Sequence, residues 1–589
     1  MFDQERKNLE NRILKILSEN QIPIPQELRW ASIPFSGEWG ISTSFFQTAA
    51  DEARSGKSVK VPLRAQEIAE LVSEALGAPE NFSRIEAVRG YLNLYYKTGE
   101  FSRQVVDRAI QQGADFGRGV KTNQLVMVEF SQPNTHKAMH VGHMRTMLLG
   151  DVIANILSFS GTNVVRANYF GDFGRDVIKW MWNFKKRHFG ETPPETNVTQ
   201  WMGDLYAEST HMLEEDPDGE KEILEMFARW EVGDKEIRQL WKQTRQWSLD
   251  GFNEIYEIFN IDFDQVYYES QMEEKAKDVV QQLIEAGIAT DERSQDGPVI
   301  VKLDEQLGLE DETYRVLVLM RSDSTTLYGA WDLVLAKQKF SDYPLDRSIY
   351  VVDVRQSLHF TQVFKTLELA GWENAEKVYH LPYEIVRLPG NVTMSSREGT
   401  VVLLEDLINE AIQRAYEVSQ ERNPDLDENT RQEVAKAVGI GAIKYPLLAR
   451  DNTKVATFDW ETALDFNGHA APYIQYAYVR TNSLLKRAEE SLPDSLVPQH
   501  ELDTKEVELI EMISEWPQVV QRAAQDFKTL YVTNHAYELA RAFNEFYNTC
   551  PVLKAEPEVR DFRLRLVTAA REAIGSSLRV LNIPVPEVM

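Results

Sequence analysis

The chain has 589 residues, 43% of them hydrophobic, and this length predicts about three or four domains of roughly 150 residues each. Its 64 basic and 92 acidic residues give a net charge of −28, which argues against a generally basic nucleic-acid-binding surface, although basic side chains gathered on one face could still bind a polyanion. The single cysteine, Cys550, excludes an intrachain disulfide framework and a cysteine-rich zinc site, and no segment approaches the roughly 18 apolar residues of a membrane span.

Residues 1–115 are predicted to form an α+β domain. The first segment, MFDQERKNLENRILKIL, mixes acids and bases unlike a signal or transit peptide, so we expect a cytoplasmic protein with no membrane partner. Leu9, Ile13 and Leu17 give the same segment the spacing of an amphipathic helix, and GYLNLYY, at residues 90–96, has the composition of a strand.

Residues 116–430 are predicted to form a doubly wound, Rossmann-type parallel sheet. The apolar segments QLVMVEF, NVVRANYF, SIYVVDV and KVYHLPYEIV each precede or follow a helical stretch, which is typical of this α/β class. Residues at about 185–260 are helical in pattern, contain tryptophan and are acidic, which indicates a structural insertion on the sheet. Residues 431–589 have helical periodicity almost throughout and predict an all-α bundle.

The segment LVMVEFSQPNTHKAMHVGHMRTMLLGDVI runs from a strand through a polar turn into a helix. His140, Gly142 and His143 fall in the first turns of that helix, where free N–H groups and a partial positive charge can hold phosphate oxygens. Two histidines that simply cap a core helix are the alternative. A zinc site is disfavoured, because the metalloprotease glutamate and a recognisable third ligand are missing.

The stretch FSQPNTHKAMHVGHMRTMLLGD resembles the arginyl-tRNA synthetases, a class I family in which a Ser-Pro-Asn-like turn, a lysine and an H-x-G-H tetrapeptide follow one another. Further matches occur in the same order: NYFGDFGRD, YYESQ, LYGAWDLVLAK, YVVDVRQSLHFTQVF, MSSREGTVV and GAIKYPLLARDNTKVATFDW. The resemblance covers nearly the whole chain.

The resemblance implies ATP-dependent ligation of L-arginine to tRNA(Arg) through arginyl-adenylate, with transfer to the 2′-hydroxyl of the terminal adenosine. It implies ATP with Mg²⁺ on its phosphates, no protein-bound zinc or other metal site, and a monomer. The N-terminal domain would contact the tRNA core and the C-terminal bundle the anticodon.

The mobile phosphate loop, usually Lys-Met-Ser-Lys-Ser in class I synthetases, lacks both lysines here. It corresponds to Thr393, Met394, Ser395, Ser396 and Arg397. By resemblance to arginyl enzymes with such a degenerate loop, Lys137 would supply the missing charge beside His140. Compensation by Arg397, or a merely solvated Lys137, are the alternatives.

Arginine recognition calls for carboxylates facing a planar guanidinium. Tyr328 and Asp332 are four residues apart and share a helix face; by resemblance Asp332 binds the guanidinium and Tyr328 packs beside it. An exposed aspartate and a core tyrosine are the alternative. Glu129 ends the strand before the turn, between two apolar residues, and is either a carboxylate of the arginine pocket, which we favour, or an exposed residue. The resemblance assigns Asn134, Glu269 and Gln356 to the substrate's backbone amine and nearby groups. It assigns His359 and Gln362 to the nucleotide side, although either could be an ordinary helix residue.

Two sets of side chains are candidates for tRNA. Tyr91 and Asn93 lie on one side of a strand, and the family reads a D-loop base with such a pair. Tyr473, Tyr476 and Arg480 fall at i, i+3 and i+7 of a helix and could stack on anticodon bases, although the tyrosines could equally pack between helices.

Three other functions fit the sequence less well. A cysteinyl synthetase needs zinc-binding cysteines that the chain lacks. A non-catalytic tRNA-binding or regulatory paralogue is suggested by the lysine-less loop and the acidic charge, but His140, His143, Lys137 and Asp332 argue against it. A small nucleotidylyltransferase would leave the helical C-terminal region without a role.

Overall fold

The computed structural model describes residues 3–33, 37–56, 58–77, 79, 82–388, 392–393, 403–488 and 492–589. The chain divides into two compact units. The first comprises Met1–Phe116, Arg480–Gln518 and Arg541–Ala573, and the second comprises Gly117–Val479, Val519–Ala540 and Ile574–Met589.

The helices and strands of the described residues follow in chain order. The helices are α1 Asp3–Glu19, α2 Phe46–Arg54, α3 Val61–Leu76, α4 Thr98–Gln112, α5 Val141–Phe159, α6 Arg175–Arg187, α7 Val198–Glu215, α8 Gly219–Glu231, α9 Lys235–Phe259, α10 Glu269–Glu285, α11 Leu303–Gln306, α12 Tyr328–Asp342, α13 Ser357–Leu369, α14 Leu404–Arg422, α15 Glu428–Leu448, α16 Trp460–Ala463, α17 Ala471–Ala488, α18 Thr504–Asp526, α19 Thr529–Thr549 and α20 Pro557–Val580. The strands are β1 Trp30–Ile33, β2 Gly40–Ser44, β3 Phe82–Val88, β4 Tyr91–Tyr96, β5 Leu125–Glu129, β6 Asn163–Phe170, β7 Gln265–Tyr268, β8 Thr290–Asp291, β9 Val299–Lys302, β10 Val316–Met320, β11 Arg347–Asp353, β12 Val378–Tyr383, β13 Val386–Leu388, β14 Val392–Thr393 and β15 Ala456–Thr457.

The second unit is built on a five-stranded parallel sheet with the order β12-β11-β5-β6-β7. The four predicted core segments supply β5, β6, β11 and β12, so the Rossmann-type fold class is confirmed. Strand β7 was not predicted. It is short and partly polar (QVYY), and it lies at the edge of the sheet, so its own sequence carries little strand signal.

The two faces of this sheet are covered differently. Met127, Val165 and Ala167 pack with helices α10 and α12 in one hydrophobic cluster. Helix α5 lies on strand β5's other side and comes very close at Gly150, where an added Cβ would lie 2.2 Å from the Cβ of Phe130. Helix α5, which carries the H-x-G-H sequence, is therefore packed closely against the Phe130 side chain at the end of strand β5.

The predicted insertion, at about residues 185–260, is helical in the structure, and its helices pack with α6, which begins before it at Arg175. Helices α6 to α9 share a hydrophobic cluster that includes Trp180, Trp182, Trp230 and Trp241. The Trp180 indole donates to the Met202 carbonyl at 2.9 Å, which ties α6 to α7. A packed aromatic core of this kind gives these helices a fixed shape.

A buried ammonium joins distant segments of the second unit. Lys444 Nζ on α15 donates to the carbonyl of Phe259 at 2.7 Å and to that of Asn582 at 2.5 Å. The Asn582 amide in turn donates to Asp151 Oδ2 on α5 at 2.7 Å. Burial lowers the pKa of Lys444 to about 8, opposed by the charge of Asp151.

The first unit contains the N-terminal sheet, antiparallel with the order β1-β2-β4-β3. Hydrogen bonds in both directions join its helical part to the N-terminal segment: Arg565 Nη2 donates to Asp107 Oδ1 at 2.5 Å, and the Trp39 indole donates to Glu511 at 2.6 Å. The C-terminal region is helical, as predicted. None of the helices in the described ranges is long and apolar enough to cross a membrane.

Candidate active site

Several predicted site residues lie at the carboxyl ends of the parallel strands. Glu129 ends β5 and Glu269 directly follows β7, while Gly171, which was not predicted, comes directly after β6. Gln356 follows β11 in a short 3-10 turn, where it is exposed as the residue before helix α13. This edge is where doubly wound sheets bind their ligands.

The H-x-G-H sequence starts helix α5 with the two imidazoles stacked. His140 is the N-cap residue, and its ring centroid lies 3.9 Å from that of His143. The Gly142 N–H donates to His140 Nδ1 at 3.1 Å, and the His140 N–H donates to His143 Nδ1 at 3.2 Å. The two histidines therefore do cap the helix, as the alternative interpretation predicted. Each ring uses only its Nδ1 for this.

These contacts fix the chemistry of the two rings. Each Nδ1 accepts a backbone proton, so the proton of a neutral ring resides on Nε2. Burial lowers the pKa of His140, and burial together with the charges of His140 and Lys137 lowers that of His143 well below its usual range. Both rings are therefore neutral near pH 7 and can donate from Nε2.

Lys137 precedes this helix and is bound to an acid on another helix. Its Nζ donates to Asp176 Oδ2 at 2.6 Å and lies 4.9 Å from the ring centroid of Tyr206. Burial opposes the charge, but the hydrogen bond and charge of Asp176 outweigh it and raise the pKa of Lys137. The lysine is an ammonium and is not simply solvated.

The predicted phosphate loop is described only at its edges. Thr393 pairs with Arg387 in the β13–β14 ladder, while Met394, Ser395, Ser396 and Arg397 lie outside the described residues. Beyond them, Leu403 forms an antiparallel bridge with His140. The chain thus returns from this segment to the start of helix α5, and the roles of the four loop residues stay predictions.

Asp332 is brought together with two other predicted residues. Its Oδ2 lies 2.5 Å from His359 Nε2, and the Tyr328 ring lies 4.9 Å from that of His359. Tyr328 is 59% exposed at the start of α12, so it is not a core tyrosine. Asp332 is part-buried and paired, so the alternative of an ordinary exposed aspartate does not describe it.

Glu129 is buried and forms an ion pair that sequence reasoning missed. Its Oε2 lies 2.6 Å from Nζ of Lys339, which is 0% exposed and stands 3.6 Å from the Tyr350 ring centroid. The other oxygen, Oε1, accepts from Gln132 at 2.9 Å. Lys339 is seven residues after Asp332, two helical turns along the same face. This spacing could have predicted that Lys339 lies on the pocket side of the helix.

Asn134 and Glu269 meet across a glycine. A Cβ on Gly171 would lie 2.1 Å from Asn134 Oδ1 and 3.3 Å from Glu269 Oε2, so only glycine permits this approach. Burial, together with the charges of Asp332 and Asp172, raises the pKa of Glu269 to about 8. The raised pKa shows that several carboxyl groups are gathered at this edge of the sheet.

Gln362 is turned to a structural partner. Its Nε2 donates to the carbonyls of Tyr314 at 2.7 Å and of Val316 at 3.2 Å. These bonds fix α13 to the strand that starts at Val316. A role of Gln362 at the nucleotide stays a prediction.

Family models match most of the chain. Residues 105–460 match the catalytic domain of the class I (R) tRNA synthetases, and residues 474–589 match the DALR anticodon binding domain. The chain is 36% identical over 553 residues to the arginine–tRNA ligase of Parabacteroides distasonis, covering 89% of this chain and 90% of that protein.

The chain belongs to the class I arginyl-tRNA synthetase family. The arginine–tRNA ligase of Clostridium perfringens is 35% identical over 528 residues, with the same coverage of both chains. The solved arginyl-tRNA synthetase of Thermus thermophilus superposes with a TM-score of 0.79 at 27% identity, covering 99% of this chain and all of that one.

The candidate tRNA-binding residues of the N-terminal domain lie on strand β4. Tyr91 is 46% exposed and Asn93 half-buried on β4, alternating with the buried Leu92 and Leu94. Asn93 accepts a hydrogen bond from Ser42 at 2.6 Å. Both side chains thus lie on the outer face of the strand, as their spacing predicted.

The three residues of the predicted anticodon stripe all lie on α17. The Tyr473 ring packs 5.3 Å from that of Tyr537. Tyr476 is 38% exposed and lines a cavity of about 290 Å³. Arg480, which falls in the first unit, donates to Asn544 at 2.8 Å. Tyr473 therefore serves helix packing, and Tyr476 is the more accessible residue of the three.

Among the residues that the structure describes, no group of three or more His, Cys, Asp or Glu side chains could hold a metal ion.

The buried His136 is expected to make the free energy of unfolding depend on pH. Burial lowers its pKa from about 6.5 to about 3, so the unfolded chain binds the proton more tightly. The stabilisation is complete above about pH 6.5 and is lost as the pH falls towards about 3, at up to about 1.4 kcal/mol per pH unit. Urea unfolding between pH 7.5 and 4.5 measures how the free energy of unfolding changes with pH. The slope of this free energy against pH should be smaller for His136→Gln than for the wild type. His211→Gln, at an exposed position, is the control; an equal slope in the wild type and H136Q would contradict the assignment.

Proposed function

We propose that this chain activates L-arginine with ATP and transfers it to the 2′-hydroxyl of the terminal adenosine of tRNA(Arg). The observation that carries the proposal is one sheet edge that holds both a pair of neutral histidine donors at a helix start and an acid-rich pocket. The first suits a phosphate and the second suits a guanidinium.

Activation is an in-line attack of the arginine carboxylate on the α-phosphorus of ATP, which forms arginyl-adenylate and breaks the bond to pyrophosphate. Negative charge grows on the α-phosphate oxygens during this step. His140 and His143 would donate to them from Nε2, and Lys137 would add a full positive charge that the lysine-less loop does not supply. Mg²⁺ enters with the ATP phosphates as part of the substrate.

The arginine side chain would bind with its guanidinium against Asp332, with the Tyr328 ring beside it. Asp332 contacts His359 in the free protein, and a forked guanidinium offers it two donors instead of one. Glu129 already shares its charge with Lys339, so we assign it a supporting part at the floor of the pocket. Asn134, Glu269 and Gln356 are proposed to hold the amino group and its surroundings.

On the nucleotide side, His359 and Gln362 are proposed to flank the adenosine, together with Met394, Ser395, Ser396 and Arg397 of the loop.

For the tRNA, we propose that residues 1–115 contact its core through Tyr91 and Asn93, and that the all-α region of residues 431–589 binds the anticodon. The cavity lined by Tyr476 and Phe466 of this region, with Arg422 from the end of residues 116–430, supports this, because aromatic rings and a guanidinium are what unpaired bases stack on. Residues 116–430 are the proposed catalytic domain. We further propose a cytoplasmic monomer without bound zinc, in keeping with a translation enzyme.

Exchange of labelled pyrophosphate into ATP tests the activity. We expect exchange that depends on L-arginine, measured with and without tRNA bearing an arginine anticodon. L-lysine and L-ornithine at the same concentration should support little exchange, because an ammonium cannot pair with a carboxylate bidentately. Folded protein that gives no exchange in either condition would favour a non-catalytic tRNA-binding paralogue.

Asp332→Asn tests the guanidinium site. Loss of a charge-assisted pair should raise the KM for arginine about tenfold to a hundredfold and leave the KM for ATP within about twofold. Asp342→Asn is a matched control, since Asp342 lies on the same helix but bonds Tyr267 and Gln338. Equal rises in both KM values would remove Asp332 from the arginine pocket.

Lys137→Met tests the compensating charge. Because this charge would act on the reacting phosphate, we expect kcat for exchange to fall about tenfold to a hundredfold with little change in the KM for arginine. Lys185→Met, at a part-exposed lysine of α6 that pairs with Glu236, should leave kcat unchanged. A Lys137→Met enzyme as fast as the wild type would show that the charge comes from elsewhere.

A further inference from the structure

The turn that carries Lys137 is held from several sides by the helical insertion, here the four helices α6 to α9. On one side the His136 N–H donates to Ser248 Oγ at 2.9 Å, and its Nε2 lies 2.8 Å from Thr244 Oγ1, both on α9. The His136 ring also meets the Trp180 ring of α6 edge to face at 5.1 Å. The residue before Lys137 is thus fixed by three contacts with the insertion.

The residue after Lys137 is held by helix α7. A Cβ placed on Gly203 would lie 2.5 Å from the Cβ of Ala138 and 3.1 Å from its backbone nitrogen. The surface of α7 therefore meets the turn at backbone distance, and a larger residue at position 203 would push the turn away. Both chain neighbours of Lys137 are positioned by the insertion.

The ammonium of Lys137 is held by the same helices. Asp176, in the first turn of α6, accepts a hydrogen bond from Lys137 Nζ at 2.6 Å, and the ring centroid of Tyr206 on α7 lies 4.9 Å from the same nitrogen. Tyr206 itself belongs to a rigid segment, because Trp180 donates to the carbonyl of Met202 at 2.9 Å and Asn183 to that of Leu205 at 3.2 Å. A cation over an aromatic ring is a favourable contact.

The ion pair with Asp176 leaves Lys137 able to bind a phosphate as well. An ammonium has three N–H donors, and Asp176 takes one of them. The side chains of Lys137 and Asp176 are 31% and 46% exposed, so the ion pair is weak enough to adjust when a phosphate arrives. Without a partner, the flexible four-carbon side chain would have to be ordered at each turnover, at a cost in side-chain entropy.

We propose that Asp176 is a positioning residue that acts through Lys137, and that the helical insertion is the frame that holds this lysine beside the phosphate site. The proposal rests on the proposed function, in which Lys137 replaces the charge of the lysine-less loop. It gives the insertion a part in catalysis that does not depend on tRNA.

Asp176→Asn is the test, with arginine-dependent pyrophosphate exchange as the measurement. We expect kcat to fall about threefold to tenfold while the KM values for arginine and ATP stay within about twofold, because the amide loses the charged partner but keeps the shape. Asp176→Glu should restore at least half of the rate. Glu220→Gln is the matched control: it removes a carboxylate of the same insertion that pairs with Arg175 and not with Lys137, and should leave the rate unchanged.

A double-mutant cycle separates positioning from a general effect on structure. In the Lys137→Met background, Asp176→Asn should have less than a twofold effect, since the residue through which it acts is gone. An equal loss in both backgrounds, a loss of the same size in E220Q, or a rate at the wild-type level in D176N would overturn the proposal. Wild-type protein without arginine-dependent exchange would instead refute the proposed function and this inference with it.

Discussion

Charged groups that are buried or half-buried at the carboxyl edge of the parallel sheet must be neutralised or paired, because their removal from water is costly. Each group meets the requirement in its own way: Glu129 with the buried Lys339, Asp332 with His359, and Lys137 with Asp176. Glu269 meets it by a pKa raised to about 8. In the proposed function, the guanidinium of arginine would add a further cation beside these acids.

The parts of this arrangement that follow from local sequence were predictable. Strand β5, the polar turn and helix α5 are specified by apolar runs and a helix start, and the i, i+4 spacing of Tyr328 and Asp332 is realised on α12. The alternation of Tyr91 and Asn93 with buried leucines follows from strand geometry alone. The roles of these residues came from resemblance to a family and not from geometry.

The parts that sequence could not predict are contacts between distant segments. Lys137 and Asp176 are 39 residues apart, and the bond between them depends on how α6 and α7 pack against the turn. The sequence of the insertion has only an acidic, tryptophan-containing helical pattern. This pattern predicts packed helices with a charged surface, but it does not predict that they contact Lys137. Tyr473 and Tyr476 lie one turn apart on the same helix, and the sequence could not predict that Tyr473 packs on Tyr537 while Tyr476 stays exposed.

The contact of Lys444 with Asn582 has a consequence for synthesis on the ribosome. The second unit includes Ile574–Met589, and a nascent chain that stops before residue 582 leaves a buried ammonium and the Asp151 carboxylate short of a partner. The Rossmann-type core therefore cannot reach its final packing while translation is incomplete, although most of it is made early. A product that ends before residue 582 would therefore be less stable than the full chain and more open to proteolysis.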